Sequence, residues 1–141
     1  FVTYWEQAKA KMIGVDPAVI AKYNVVSAPV AARMALGAAA ASGSDIAVSV
    51  TGVAGPTGGD EVRPVGTVYL GAARGDTVYV QKLFVSRPDR ALVRARAAQA
   101  ALALALRLAQ GKVPAHTKPL AASEQHSAAA LDALNEAFLA E

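Results

Sequence analysis

The spacing of apolar positions changes along this chain, and each change marks an element. Phe1–Tyr4 is aromatic and β-branched and predicts the end of a strand. Glu6–Ile13 predicts a short helix stopped at Gly14. Asp16 followed by Pro17 is an N-cap with proline at the first helical position, which opens a second short helix to about Tyr23. Ser27 caps a third, carrying Val30, Met34 and Leu36, that runs to about Ala41 and ends at Ser42-Gly43. The period then drops to two. Ile46, Val48 and Val50 alternate with small Ala47 and Ser49, so Asp45–Thr51 predicts a strand packed closely on both faces.

Val65–Ala73 and Thr77–Val85 are two further strands, and the short link Arg74-Gly75-Asp76 makes them an antiparallel hairpin. Pro88-Asp89 opens a long helix from about Arg90 to Gln110, with an apolar stripe expected at Leu92, Ala95, Gln99, Leu102 and Leu106. Residues 111–122, with two prolines, read as a linker, and 123–141 as a terminal helix with the stripe Leu131, Leu134 and Phe138. The order predicts an α/β fold: a layered, mixed sheet flanked by helices, in a single domain over 1–110 with a C-terminal helical extension.

Composition narrows this picture. At 141 residues and 54% hydrophobic, the chain can bury one proper core. With no cysteine, no disulfide, thiolate nucleophile or cysteine-based zinc site is possible. His116 and His126 are isolated, so no metal site is expected. The net charge of +3 favours an anionic ligand, but the basic residues are scattered, which argues against nucleic acid. No apolar run is long enough for a membrane span, and no signal peptide is visible. The opening Phe-Val-Thr-Tyr reads as the middle of a folded unit, so a preceding segment is expected.

The candidate chemistry lies in Ser49-Val-Thr-Gly-Val-Ala-Gly-Pro-Thr-Gly-Gly-Asp60, closing with Arg63-Pro-Val-Gly-Thr-Val-Tyr69. This is strand, glycine-rich loop, strand. Such a loop bares backbone N–H groups where a phosphate or a developing oxyanion can approach. Taken alone, Gly55, Gly58 and Gly59 could equally build a wide turn.

These residues resemble the C-terminal domain of the CinA (competence/damage-inducible) proteins, which includes the bacterial nicotinamide-nucleotide amidohydrolases. Phe1-Val-Thr-Tyr-Trp-Glu-Gln-Ala-Lys9 with Met12-Ile-Gly-Val15 is similar to the family's Tyr-Ser-Asn-Glu-Ala-Lys segment. Val26-Ser27 is similar to its Ala-Val-Ser helix start. Thr51-Gly-Val-Ala-Gly-Pro56, Gly58-Gly59 and Arg63-Pro-Val-Gly-Thr-Val68 resemble its signature loop, and Pro88-Asp-Arg90 its last helix start. The resemblance spans roughly Phe1 to Leu108. Two departures stand out. Trp5-Glu6-Gln7 replaces Ser-Asn-Glu, and the family's nucleophile motif, Glu-Ser-Cys-Thr-Gly-Gly at a strand-to-helix turn, does not occur in the chain.

The resemblance implies hydrolysis of the carboxamide of nicotinamide mononucleotide to nicotinate mononucleotide and ammonia, without cofactor, in pyridine-nucleotide salvage. It implies a serine paired with a neutral lysine, and that lysine is Lys9. It makes Tyr4 a bridge in the proton path or an orienter of the serine, and Thr51 a holder of the carbonyl oxygen through its hydroxyl or nearby N–H groups. Gly52, Gly55, Gly58, Gly59 and Arg90 become substrate contacts, with Arg90 at a helix start suited to a phosphate or carboxylate. A cytoplasmic homodimer acting on a small nucleotide is the corresponding expectation. The missing serine motif supports the rival expectation of a non-catalytic mononucleotide-binding or oligomerisation scaffold.

Overall fold

The structure is a computed structural model that describes residues 1–140. Three short or medium helices come first: α1 (Glu6–Ile13), α2 (Pro17–Tyr23) and α3 (Ala28–Ser42). Strands β1 (Ile46–Gly52), β2 (Thr67–Arg74) and β3 (Thr77–Phe84) follow, then the long helix α4 (Arg90–Ala109). The chain ends with β4 (Lys118–Ala121), a 3-10 turn (Ala122–Glu124) and α5 (Ala128–Leu139). The caps at Asp16, Ser27 and Asp89 form where the sequence puts them, and Ser127, not singled out there, caps α5, which starts later than the expected residue 123; each accepts a backbone N–H from the first turn of the helix it precedes.

The strand order is β1-β2-β3-β4. The α/β layering is the one the sequence predicts, but every described pairing is antiparallel rather than mixed. Phe1–Tyr4, expected as a strand end, has no strand partner among the described residues. Instead it runs beside β1 and helps to line a cleft there. The expected linker holds β4, which pairs with β3 from Thr77↔Ala121 to Val80↔Lys118.

The sheet has a helical layer on each face. On one face α3 lies across β1, β2 and β3, flanked by α1, α2 and α5. Ser49 fastens α3 to β1: its hydroxyl donates to the Ala31 carbonyl at 2.6 Å and accepts the Gly71 N–H at 3.1 Å. On the other face α4 packs on β1 and β2. The residues α4 buries are Val93, Ala97, Ala101, Leu104 and Leu108, mostly two positions on from the predicted stripe and so on a different face of the helix. Leu102 and Leu106 face solvent instead, at 71% and 58% exposure. The terminal helix does dock: Leu131, Leu134 and Phe138 join the core beneath α3 and the sheet, with Phe138 edge-on to Tyr69. Among the described residues no helix is long and apolar enough to cross a membrane.

Candidate active site

An open cleft of about 490 Å³ lies between the N-terminal segment, α1, α3 and the outer side of β1. Lys9, Tyr4, Thr51 and Gly52 all line it, with Val25 and Met34 behind them. The sheet builds one wall. Because β1 is the first strand in the order, its outer edge carries no described neighbour. Val53 exchanges its hydrogen bonds with the β2 side, through Thr67 O and Gly66 N. Alternation along the strand therefore leaves the amides of Val50 and Gly52 on the open edge, facing the cleft side.

Lys9 enters from α1. The helix is held short by Gly14, whose left-handed backbone closes it onto Ala10 O and Lys9 O. Lys9 is 6% exposed, and its Nζ donates to the carbonyl oxygen of Thr3. Burial pushes the Lys9 amine below the ordinary lysine range, and the Glu6 carboxylate works against that shift. No carboxylate is paired with this amine among the described residues. The arrangement suits a lysine that gives up its proton readily.

Thr51 is buried, and its hydroxyl donates to the Val25 carbonyl at 2.8 Å. With that donor spent on the fold, the open-edge amides beside it are the available donors for an anionic oxygen. Tyr4 is 83% exposed at the cleft mouth. Ser49 also lines the cleft, but its hydroxyl is committed between Ala31 and Gly71. Ser27 caps α3 and donates to Asn24 O.

Gly55, Gly58, Gly59 and Arg90 do not line this cleft. Gly55 is buried in the loop with φ +83°, and a Cβ there would strike Val65 at 2.5 Å. Gly58 and Gly59 stand exposed at the loop tip. Arg90 reaches back from α4, and its Nη1 donates to Gly55 O at 3.1 Å.

Sequence reasoning passed over Arg63. Its Nε donates to Val26 O at 2.7 Å and its Nη2 to Tyr23 O at 3.0 Å. Asp60 accepts the N–H groups of Val62 and Arg63 and lies 3.8 Å from the Arg63 guanidinium. Arg63 and Thr51 thus hold the last carbonyl of α2 and two carbonyls of the α2–α3 connector, whose Val25 and Val26 line the cleft. The signal for this role was the arginine beside the Pro-Val-Gly-Thr-Val strand, where a charge within an apolar motif needs a partner.

Comparison with known proteins agrees with this architecture. The family model described as the CinA C-terminal domain matches residues 1–109. The nicotinamide-nucleotide amidohydrolase PncC of Escherichia coli (strain K12) is 46% identical over 104 residues, covering 72% of this chain and 62% of that protein. A CinA-like protein of Geobacter sp. (strain M21) is 50% identical over 93 residues, covering 66% of this chain and 22% of that protein. The chain therefore spans between about a fifth and three fifths of these curated relatives. Among solved structures, a competence/damage inducible protein from Agrobacterium tumefaciens superposes with a TM-score of 0.74 at 35% identity, covering 77% of this chain and 67% of that one. A CinA superfamily protein from Escherichia coli gives 0.72 at 36% identity, covering 77% and 62%.

Proposed function

The chain belongs to the CinA C-terminal domain family, and from that premise we propose that it forms the lysine-bearing part of a nicotinamide-nucleotide amidohydrolase. The observation that carries the reading is Lys9: a buried, carboxylate-free amine lining the same cleft as Thr51 and Gly52. The 46% identity to an amidohydrolase of that name supports the substrate class.

The chemistry follows from what an amide requires. A serine oxygen attacks the carboxamide carbon while Lys9 takes its proton. The carbonyl oxygen gathers negative charge, and the open-edge amides of Val50 and Gly52 stabilise it. Lys9 then returns the proton to the departing nitrogen, which leaves as ammonia. Water cleaves the acyl–serine ester and regenerates the hydroxyl. Tyr4, at the mouth, orients the serine or relays the proton. Arg90 and the exposed Gly58-Gly59 turn lie outside the cleft, with Arg90 donating to Gly55 O, so a nucleotide phosphate would meet them only by extending beyond it.

The serine itself belongs to a motif that residues 1–141 do not contain, and the two serines near the cleft are committed to the fold. The commitment of the Ser27 and Ser49 hydroxyls to the fold is what favours the second reading, a mononucleotide-binding or oligomerisation scaffold. Ammonia release from nicotinamide mononucleotide, measured on the native polypeptide that carries this domain, separates the two. The amidohydrolase reading expects release, and a fall of about 10²- to 10⁴-fold on Lys9→Met. A folded polypeptide that binds the nucleotide and releases no ammonia is the scaffold. Undiminished release by Lys9→Met removes Lys9 from the mechanism.

A further inference from the structure

Two cationic side chains are buried among the described residues, Lys9 and Arg33. The proposed reaction uses the first and leaves the second unexplained. Arg33 stands on α3 at 6% exposure with no carboxylate in ion-pair reach. Burial lowers its proton affinity, and only Asp16, acting through space, opposes that. A guanidinium left unpaired in a core is costly, so its hydrogen bonds show what it is kept for.

Those bonds go in two directions. Nη1 donates to Gln125 O at 3.1 Å, where the 3-10 turn leads into α5. Nη2 reaches Gly14 O at 3.5 Å, where α1 ends. Gln125 belongs to the segment beyond residue 109, outside the family match. Gly14 closes the helix that carries Lys9, and the next N–H, of Val15, holds the Lys9 carbonyl at 3.0 Å. One planar fork thus ties the C-terminal segment to the end of α1. On its far side the same segment is clasped to α2, because Asp132 accepts from the Tyr23 hydroxyl and pairs with Lys22 at 2.8 Å.

We propose that Arg33 is a positioning residue: its guanidinium fastens the C-terminal segment to the end of α1 and holds that helix where Lys9 enters the cleft. The catalytic meaning of this brace rests on the reading of Lys9 as the base; its existence does not. The C-terminal segment becomes a working part of the cleft, although it touches the cleft nowhere among the lining residues.

The test reads the environment of Lys9 without turnover. Trace acetylation over a range of pH, followed by mass spectrometry of each lysine, gives a titration midpoint for Lys9, with exposed Lys11 on the same helix as reference. The groups around Lys9 are simple. Glu6 acts from its own helix, Tyr4 comes from the N-terminal segment, and β1 and α3 present uncharged Val48, Val50, Met34 and Ala38 to the cleft. In the unaltered protein Lys9 should titrate below the ordinary lysine range. Arg33→Met, which keeps length but cannot donate, should let Lys9 rise toward the ordinary lysine range. Arg33→Lys keeps the charge and loses the fork, so it should shift Lys9 in the same direction. Asp132→Asn, which loosens the segment from its far side, should also raise Lys9.

A folded Arg33→Met with Lys9 unmoved overturns the proposal. So does Arg33→Lys titrating like the unaltered protein, since charge acting through space would then be the whole effect. If Arg33→Met does not fold, Arg33→Lys decides alone. A Lys9 that shifts as expected while ammonia release is unaffected sinks the base assignment and leaves the brace standing.

Discussion

Lys9 destabilises the fold where it stands, and that cost is the clearest consequence of its burial. Its folded-state proton affinity lies below the ordinary lysine value, through burial first and against the pull of Glu6. Between the folded value and the ordinary value near ~10.4, the unfolded chain binds more protons than the native one, so this group's contribution to stability rises with pH. Lys9→Met is therefore expected to raise stability at neutral pH, with a gain that shrinks as pH climbs toward the ordinary lysine range. Urea unfolding at several pH values measures it, and a gain that grows with pH contradicts it. The same helix is seated by a neighbour with no chemistry of its own. A Cβ on Gly37 of α3 would lie 1.8 Å from the backbone oxygen of Ile13, at the end of α1. Gly37→Ala must push α1 outward and is expected to cost about 2–4 kcal/mol in the same assay. Neither residue announces itself in the sequence. Lys9 lies between Ala8 and Ala10 on a short helix with Lys11 close by, and only the family resemblance singles it out. Arg33 and Arg63 went unread because their partners are backbone carbonyls distant in sequence, which leave no pattern of residue types.

At the scale of elements, local chemistry was legible and burial was not always so. The caps at Asp16, Ser27 and Asp89 fixed the starts of α2, α3 and α4, because a side-chain acceptor ahead of a helix is a local signal. Helix α4 shows the limit. Leu92, Ala95, Gln99, Leu102 and Leu106 follow helical spacing, and so do Val93, Ala97, Ala101, Leu104 and Leu108. In a helix this rich in alanine and leucine both stripes are largely apolar, Gln99 apart, and only the sheet decides which one is covered. The two registers predict opposite mutational results. Leu104→Ala should cost about 2–4 kcal/mol, as a core truncation does, and Leu102→Ala should stay within about 0.5 kcal/mol. Equal effects in thermal unfolding would reject this packing. Strand β4 was hidden for a different reason. It is four residues long and contains Pro119, which argues for a linker. An edge strand tolerates a proline that lacks an N–H, and β4 is the last strand in the order. The Phe1–Tyr4 segment is the converse: its residue types favour a strand, but extended chain becomes a strand only beside a partner.

For the molecule as a whole, the C-terminal segment is the part that the family match leaves out and the core does not. The match ends at residue 109. The core beneath α3 includes Leu120, Leu131, Leu134 and Phe138 together with Tyr69, Val78 and Val80 of the sheet. Burial of four such side chains contributes on the order of 6–12 kcal/mol, comparable to the whole stability of a small domain. The polar clasp adds a pH signature. Asp132 is held below the ordinary carboxylate range, by its bond to Lys22 first and Tyr23 next. A depressed carboxyl supports the fold above its unfolded value, and that support fades as pH falls through the folded value. Asp132→Asn should thus melt lower than the unaltered protein at neutral pH, and the gap should close in acid below about pH 4. The larger expectation concerns cooperativity. A chain of residues 1–109 keeps everything the family model matches, yet it uncovers Tyr69, Val78 and Val80 on one face of the sheet and leaves Arg33 without its Gln125 acceptor. It should bind a hydrophobic dye and unfold over a broad range, while the full chain melts in one sharp transition. A sharp transition from residues 1–109 alone would mean that the family motifs suffice for the fold and that the last strand and helix are merely attached.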